Sequence, residues 1–343
     1  IASPIASPRR GVLPMSSRRA AMTGIGASIP ERVLTNADLE RMVDTTDKWI
    51  VQRTGIRERR LVSEGESTAT LATDAGRKAC EAAGVNPAGL DAILCATITP
   101  ETLCPATACY VQRDLGAENA AAWDLNAACS GWLYALASAA RFIEAGQFER
   151  CLVVGTETLS RVTDYQDRGS CILFGDGAGA VVLEGTDREG RGLLYNVLHA
   201  DGRGWDYIYI PAGGSSRPAT QETVDEKGHY LKMRGRDVYR FAIDKMQWIL
   251  RDCMDACGLS TDQVDLVIPH QVNIRIIRSA AQKLGLPMDK VYVNIDRMGN
   301  TSAASIPIAM DEAWRGGMIG EGSTVILAAF GAGLTWSGAV VKL

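Results

Sequence analysis

The chain has 343 residues, 46% of them hydrophobic and 22% charged, with a formal net charge of -4. That balance fits a soluble globular enzyme and excludes a general nucleic-acid binder, whose phosphate contacts need a basic surface. No window approaches the ~18 consecutive apolar residues of a membrane span. Nine scattered cysteines form no C-x-x-C pair, and three histidines offer no metal-ligand spacing. The expectation is therefore reduced thiols and no metal site.

Residues 1–20 repeat Ile-Ala-Ser-Pro and carry Arg9, Arg10, Arg18 and Arg19, with no acid before Glu31. They read as an extension over 1–14 ahead of Met15, or as an organelle transit remnant. The fold is expected to begin after it, with a strand over Ala20–Ile25. A helix follows from Asn36, its predicted N-cap, to Val43. Glu66–Ala83 is apolar at helical spacing and stops at Gly84. A strand over Leu90–Thr97, a helix over Thr107–Leu115 and the end of a buried strand at Trp123–Leu125 come next. Gly131–Ile143 is an Ala-rich helix, Arg150–Thr156 a buried strand, and Ile172–Leu183 another strand.

The second half repeats this plan. Asp237–Cys257 is a long helix stopped by Gly258, Val264–Ile268 a strand, and Asn273–Leu284 a helix. Val291–Ile295 is a predicted strand, followed by a helix from beyond Asn300 to Trp314. Strands over Thr324–Phe330 and Gly338–Lys342 close the chain. Leu90-Asp-Ala-Ile-Leu matches Val264-Asp-Leu-Val-Ile, and the later elements match in order. An internal duplication of a β-α-β-α-β unit explains this, with halves at 15–190 and 191–343.

In α/β sheets chemistry collects at loops beyond the carboxyl ends of strands. Cys129, His270 and Asn300 all sit on such loops. Cys129 lies on the turn into the Gly131 helix, where unpaired N–H groups and the helix dipole favour thiolate and lower the thiol from its free pKa of about 8.5. Each residue alone also has an inert reading. Cys129 can be a small core residue, His270 a strand-end group bonded to a carbonyl, and Asn300 a helix cap.

Taken together the motifs resemble those of β-ketoacyl-acyl-carrier-protein synthase III, in the thiolase-like superfamily of condensing enzymes. They are Asp44–Glu58, Asn126-Ala-Ala-Cys-Ser-Gly, Asp167-Arg-Gly with Phe174-Gly-Asp-Gly-Ala-Gly-Ala, and Leu198-His-Ala-Asp-Gly. Pro269-His-Gln-Val-Asn, Asn294-Ile-Asp-Arg-Met-Gly-Asn-Thr-Ser-Ala-Ala-Ser and Phe330-Gly-Ala-Gly-Leu-Thr-Trp complete the set, which covers nearly the whole chain from Gly24. The resemblance implies a five-layered α-β-α-β-α fold made of the two halves. It also implies a homodimer with no cofactor or metal, placed in the cytoplasm, or in a plastid if residues 1–20 are a transit remnant.

The same resemblance implies that Cys129 takes an acyl group, most simply acetyl, from acyl-CoA. His270 and Asn300 would then promote decarboxylation of malonyl-acyl-carrier protein, giving 3-oxoacyl-carrier protein, CO2 and CoA. The oxyanion hole falls on the N–H groups of Cys129 and Ala332. CoA contacts fall on Thr45, Trp49, Arg53 and Arg168, with adenine between Trp49 and Arg168. Carrier-protein contacts fall on Arg240 and Arg275, with Arg236 and Arg278 on the same helix faces. Cys104 stands where many members have an aromatic acyl-pocket residue, which leaves a longer or branched primer open. Ala332 replaces a middle glycine, with strain expected if its backbone is left-handed. Three alternatives are a condensing or acyl-transfer enzyme of a specialised polyketide-type pathway, a Cys-His thioesterase, and a non-catalytic subunit.

Overall fold

The computed structural model describes residues 18–343; the predicted extension over 1–14 and Met15 lie outside them. One sheet has the order β1 (Arg19–Ser28), β5 (Asp176–Thr186), β4 (Arg150–Thr158), β2 (Ala92–Ala96), β3 (Ala121–Leu125). The other has the order β6 (Gly192–Ala200), β9 (Thr335–Lys342), β8 (Thr324–Gly331), β7 (Leu266–Pro269). Pairing sense repeats as well: β2 and β4 are parallel while β4–β5 and β5–β1 are antiparallel. In the same way β7 and β8 are parallel, with β8–β9 and β9–β6 antiparallel. The duplication read from matching sequence segments is present in the topology.

Helices α2 (Thr68–Ala83) and α3 (Thr107–Leu115) cover the outer face of the first sheet. Helices α5 (Gly235–Cys257) and α6 (Ile274–Leu284) cover the outer face of the second, by way of α5. Between the sheets lie α4 (Gly131–Glu144) and α7 (Ser305–Arg315). The central core joins Trp132, Leu136 and Ile143 of α4 to Ile306 and Met310 of α7, with Val153, Ile268 and Leu327 from both sheets. Helix α4 is apolar almost all round because both of its faces meet a sheet. Its small alanines allow the close approach that such sandwiching needs. Helix ends follow local chemistry: Ser67 and Thr70 form a reciprocal capping box on α2, and Gly84 ends it with φ 67°.

Several boundaries differ from expectation. Thr35, and not Asn36, caps the first short helix, its hydroxyl accepting from the Asp38 N–H, and that helix ends at Glu40. Asn36 is buried, and its side-chain oxygen accepts two bonds of 3.0 Å from Arg59. The predicted strand at Val291–Ile295 is only a bridge between Val267 and Val291. There the Gln271 amide takes the Tyr292 carbonyl at 3.1 Å and the Asn294 N–H at 3.1 Å, so a side chain replaces strand pairing. β5 begins at Asp176, since residues 173–175 bond to Asn300 across the halves. β3 is an edge strand with Trp123 and Leu125 half-buried, and not a buried one. β6, absent from the predicted elements, is the edge strand beside β9.

Candidate active site

Cys129 sits between β3 and α4, in one turn of 3-10 helix over Ala128–Ser130. Ala128 takes a left-handed φ of 48°, a conformation that costs an alanine about 1–2 kcal/mol. The Asn126 side chain accepts from the Ala128 N–H at 3.2 Å and helps hold the turn. From the other half, the end of β8 presses on the same turn. A Cβ added at Gly331 would lie 2.7 Å from the Cys129 nitrogen, so only glycine lets the two backbones approach this closely.

His270 leaves β7 directly after Pro269, and its N–H donates to the Ala328 carbonyl at 2.7 Å. The ring is fully buried, with Nδ1 2.7 Å from the Ser305 hydroxyl and Nε2 without a protein partner. Phe330 meets the ring edge-on at a centroid distance of 5.8 Å. Asn300 donates its backbone N–H to Leu173 at 2.8 Å, which ties its loop to the first half. Its Oδ1 accepts from the Ser302 N–H at 2.8 Å, leaving the Nδ2 amide for a ligand. Asn300 therefore does not cap the helix that follows, whose N-cap is Ala304; its Oδ1 closes a two-residue turn instead.

Cys129, His270 and Asn300 line one cavity of about 50 Å³ with Ser302 and Ala332, walled by apolar groups including Leu159, Phe174 and Leu231. The electrostatics differ from expectation at the nucleophile. Burial pushes the Cys129 thiol up to about 12, the Ser302 hydroxyl lowers it, and the Glu157 charge raises it further. Desolvation outweighs the favourable helix terminus, so the resting group is a thiol and not the predicted thiolate. Burial also lowers His270 to about 3, so its imidazole is neutral at physiological pH.

The remaining predicted residues fall in separate places. Trp49 and Arg53 lie on α1 (Asp47–Thr54), and the Arg53 and Arg168 guanidinium groups stand 4.8 and 4.3 Å from the Trp49 ring centroid. Arg168 therefore rests directly on Trp49, and a base entering between them must first displace it. Thr45 beside them is buried with an unpaired hydroxyl. Arg240 and Arg275 are exposed on α5 and α6, and Arg275 lies 5.5 Å from the Tyr239 ring, which links the two helices. Ala332 is not in the left-handed region, so the feared strain is absent. The special backbone angle belongs to Gly333, with φ 127°. Cys104 is exposed, beside Leu103 at 90% exposure, and does not line the Cys129 cavity of its own chain.

Three site residues escaped the sequence reading. Ser302 and Ser305 sit inside a motif read for its Asn300 alone, Ser305 as the first residue of α7. Glu157 lies near the end of β4, fully buried, and takes hydrogen bonds from Thr97, Thr99, Ser302 and the Ile98 N–H. The available signal was an acid after the apolar run Cys151-Leu-Val-Val, where a buried carboxylate needs a reason.

Two duplicated sheets around a central helix pair, with the candidate residues meeting between the halves, define a thiolase-like condensing enzyme. Residues 123–202 match the family described as 3-oxoacyl-[acyl-carrier-protein (ACP)] synthase III, and residues 254–343 match its C-terminal counterpart. The β-ketoacyl-[acyl-carrier-protein] synthase III of Caldanaerobacter subterraneus subsp. tengcongensis is 49% identical, over 94% of this chain and 97% of that one. The crystal structure of 3-oxoacyl-[acyl-carrier-protein] synthase III from Aquifex aeolicus superposes with a TM-score of 0.86 at 41% identity, over 94% and 100% of the two chains. The priming β-ketosynthase of the R1128 polyketide pathway gives 0.88 at 34% identity, over 97% and 99%. The chain belongs to the β-ketoacyl-[acyl-carrier-protein] synthase III family, the acyltransferases that carry out the initiating condensation of fatty acid synthesis. Among the described residues no group of His, Cys, Asp and Glu could hold a metal ion, and no helix is long and apolar enough to cross a membrane.

Proposed function

We propose that Cys129 takes a short acyl group, acetyl first among them, from acyl-CoA and passes it to the carbanion formed from malonyl-acyl-carrier protein. The sulfur attacks the thioester carbonyl and CoA leaves. The N–H groups of Cys129 and Ala332 hold the oxyanion. Malonyl-carrier protein then loses CO2, and its enolate oxygen accepts from His270 Nε2–H and Asn300 Nδ2. The carbanion attacks the acyl-cysteine to give 3-oxoacyl-carrier protein. This role requires the imidazole proton on Nε2, the tautomer in which Nδ1 accepts from the Ser305 hydroxyl 2.7 Å away. The neutral donors also suit an enolate better than a carboxylate would. One observation carries the reading: Cys129, His270 with an unpaired Nε2, and Asn300 share a single apolar cavity.

The cavity of about 50 Å³ suits a chain of a few carbons. Thr45, Trp49, Arg53 and Arg168 would receive CoA, and Arg240 and Arg275 the acidic carrier protein. The chemistry uses no cofactor, and we place it in the cytoplasm. The halves divide at about residue 190, with the nucleophile from 15–190 and the two donors from 191–343. The half-buried edge strand β3 and exposed Leu103 support a homodimer, in which Cys104 would serve the partner's acyl pocket. A second reading, a longer or branched primer for a specialised pathway, draws on the small side chain at Cys104 and the polyketide relative. An acyl-CoA series with malonyl-carrier protein, followed by mass spectrometry of Cys129, tests both. Acetyl preference with CO2 release is expected. Acyl transfer without CO2 release overturns the condensing reading.

A further inference from the structure

The site holds a nucleophile that rests protonated and no assigned acceptor for its proton. His270 is a poor acceptor, because the decarboxylation role proposed above needs its Nε2 to carry hydrogen. Near Cys129 lies a buried acid, Glu157, that the proposed mechanism does not use. Ser302 lines the same cavity as Cys129, and its hydroxyl donates to Glu157 Oε1 at 3.0 Å. Ser302 adopts a left-handed φ of 48°, a conformation uncommon for serine. The rest of the Glu157 carboxylate is fixed by Thr99 at 2.6 Å, Thr97 at 3.2 Å and the Ile98 N–H at 3.2 Å.

We propose that Glu157 accepts the Cys129 thiol proton through the Ser302 hydroxyl as the sulfur attacks the acyl thioester. The inference rests on the acyl-transfer reading and names the proton acceptor of its first half. The Cys129 S–H bond breaks as a Ser302 O–H bond forms, and the original Ser302 proton moves to Glu157 Oε1. The sulfur electron pair forms the new S–C bond, and the tetrahedral intermediate expels CoA as a thiolate. The proton then returns through Ser302 to that thiolate, leaving acyl-Cys129, free CoA and an ionised Glu157. Burial supports the role, holding Glu157 up to about 7, where it changes hands easily near neutral pH. Its bonded partners are all neutral, and the ionisable groups that feel its charge are the Cys95 thiol of β2 and Cys129 itself.

The test is the pre-steady-state rate of acyl-Cys129 formation from acetyl-CoA against pH, read by rapid quench and intact-protein mass. In the wild type the rate is expected to rise with pH through about 7, since only ionised Glu157 accepts the proton. Glu157→Gln and Ser302→Ala should each lower it by about 10²-fold at neutral pH and move the rise to alkaline pH. A merely structural role would lower the rate without moving the profile. Wild-type rates and profile in both folded variants overturn the relay, as does a wild-type profile flat from acid to mildly alkaline pH. The wild-type curve decides the matter if neither variant folds. Absence of any adduct on wild-type Cys129 would instead overturn the acyl-transfer reading itself.

Discussion

Gly331→Ala tests how tightly the two halves assemble the nucleophile. The added methyl would lie 2.7 Å from the Cys129 nitrogen, 3.1 Å from its Cβ and 3.2 Å from its Cα. Carbon and nitrogen atoms rest at about 3.5 Å or more, so the turn and the β8 end must part by roughly 0.8 Å. Both are backbone in a buried site, and neither has a flexible side-chain tip that can yield. The displaced atoms include the proposed oxyanion donor and the sulfur-bearing carbon, and misplacement on the order of 1 Å costs about 10²-fold in rate. Overpacking should also lower stability by about 1–3 kcal/mol. The assay is the time course of acetyl-Cys129 formation by mass spectrometry, beside a thermal melt. Acylation within about threefold of wild type would refute the reasoning, since that corresponds to under ~1 kcal/mol. Ala332→Gly is the matched control: Ala332 uses no left-handed angle, so acylation should change by less than about twofold.

His270→Ala and Asn300→Ala should each lower condensation by about 10²–10³-fold while acetyl-Cys129 still forms, as separate assays of CO2 release and acyl adduct would show. Arg275→Glu should raise KM for malonyl-carrier protein and leave the rate of acylation by acetyl-CoA unchanged within about twofold, weakening further at low salt. Urea unfolding across acid pH tests the buried imidazole. With His270 lowered from 6.5 to about 3, the unfolded chain binds a proton in that window that the folded chain cannot. Stability therefore falls as pH drops through it, by up to about 1.4 kcal/mol per pH unit. Glu157, raised from 4.5 to about 7, contributes the opposite slope. The difference between wild type and His270→Gln isolates the first effect: the variant should lose stability less steeply below pH ~6, and equal slopes would refute it.

Much of this protein was legible in one dimension. Helices α2, α3 and α5 are marked by periodicity and by glycines at their ends, because those cues act within a few residues. The duplication and the three candidate site residues were legible too, since strand-end loops with distinct chemical groups recur in order. The failures share a cause. The Val291 segment lost its strand to the Gln271 side chain, and Asn36 lost its cap role by turning inward to Arg59. Local propensity cannot anticipate a partner brought from elsewhere in the chain.

The same limit governs the site. Sequence determined that Cys129 stands at a helix start and that His270 follows a strand, while the strand it placed before Asn300 is a single bridge. Only the tertiary structure decided that Cys129 rests as a thiol, because desolvation depends on the walls that close around it. It also decided that Glu157, far from Ser302 in sequence, lies one hydroxyl behind the nucleophile. Charge state is a property of surroundings, and those surroundings come from both halves at once.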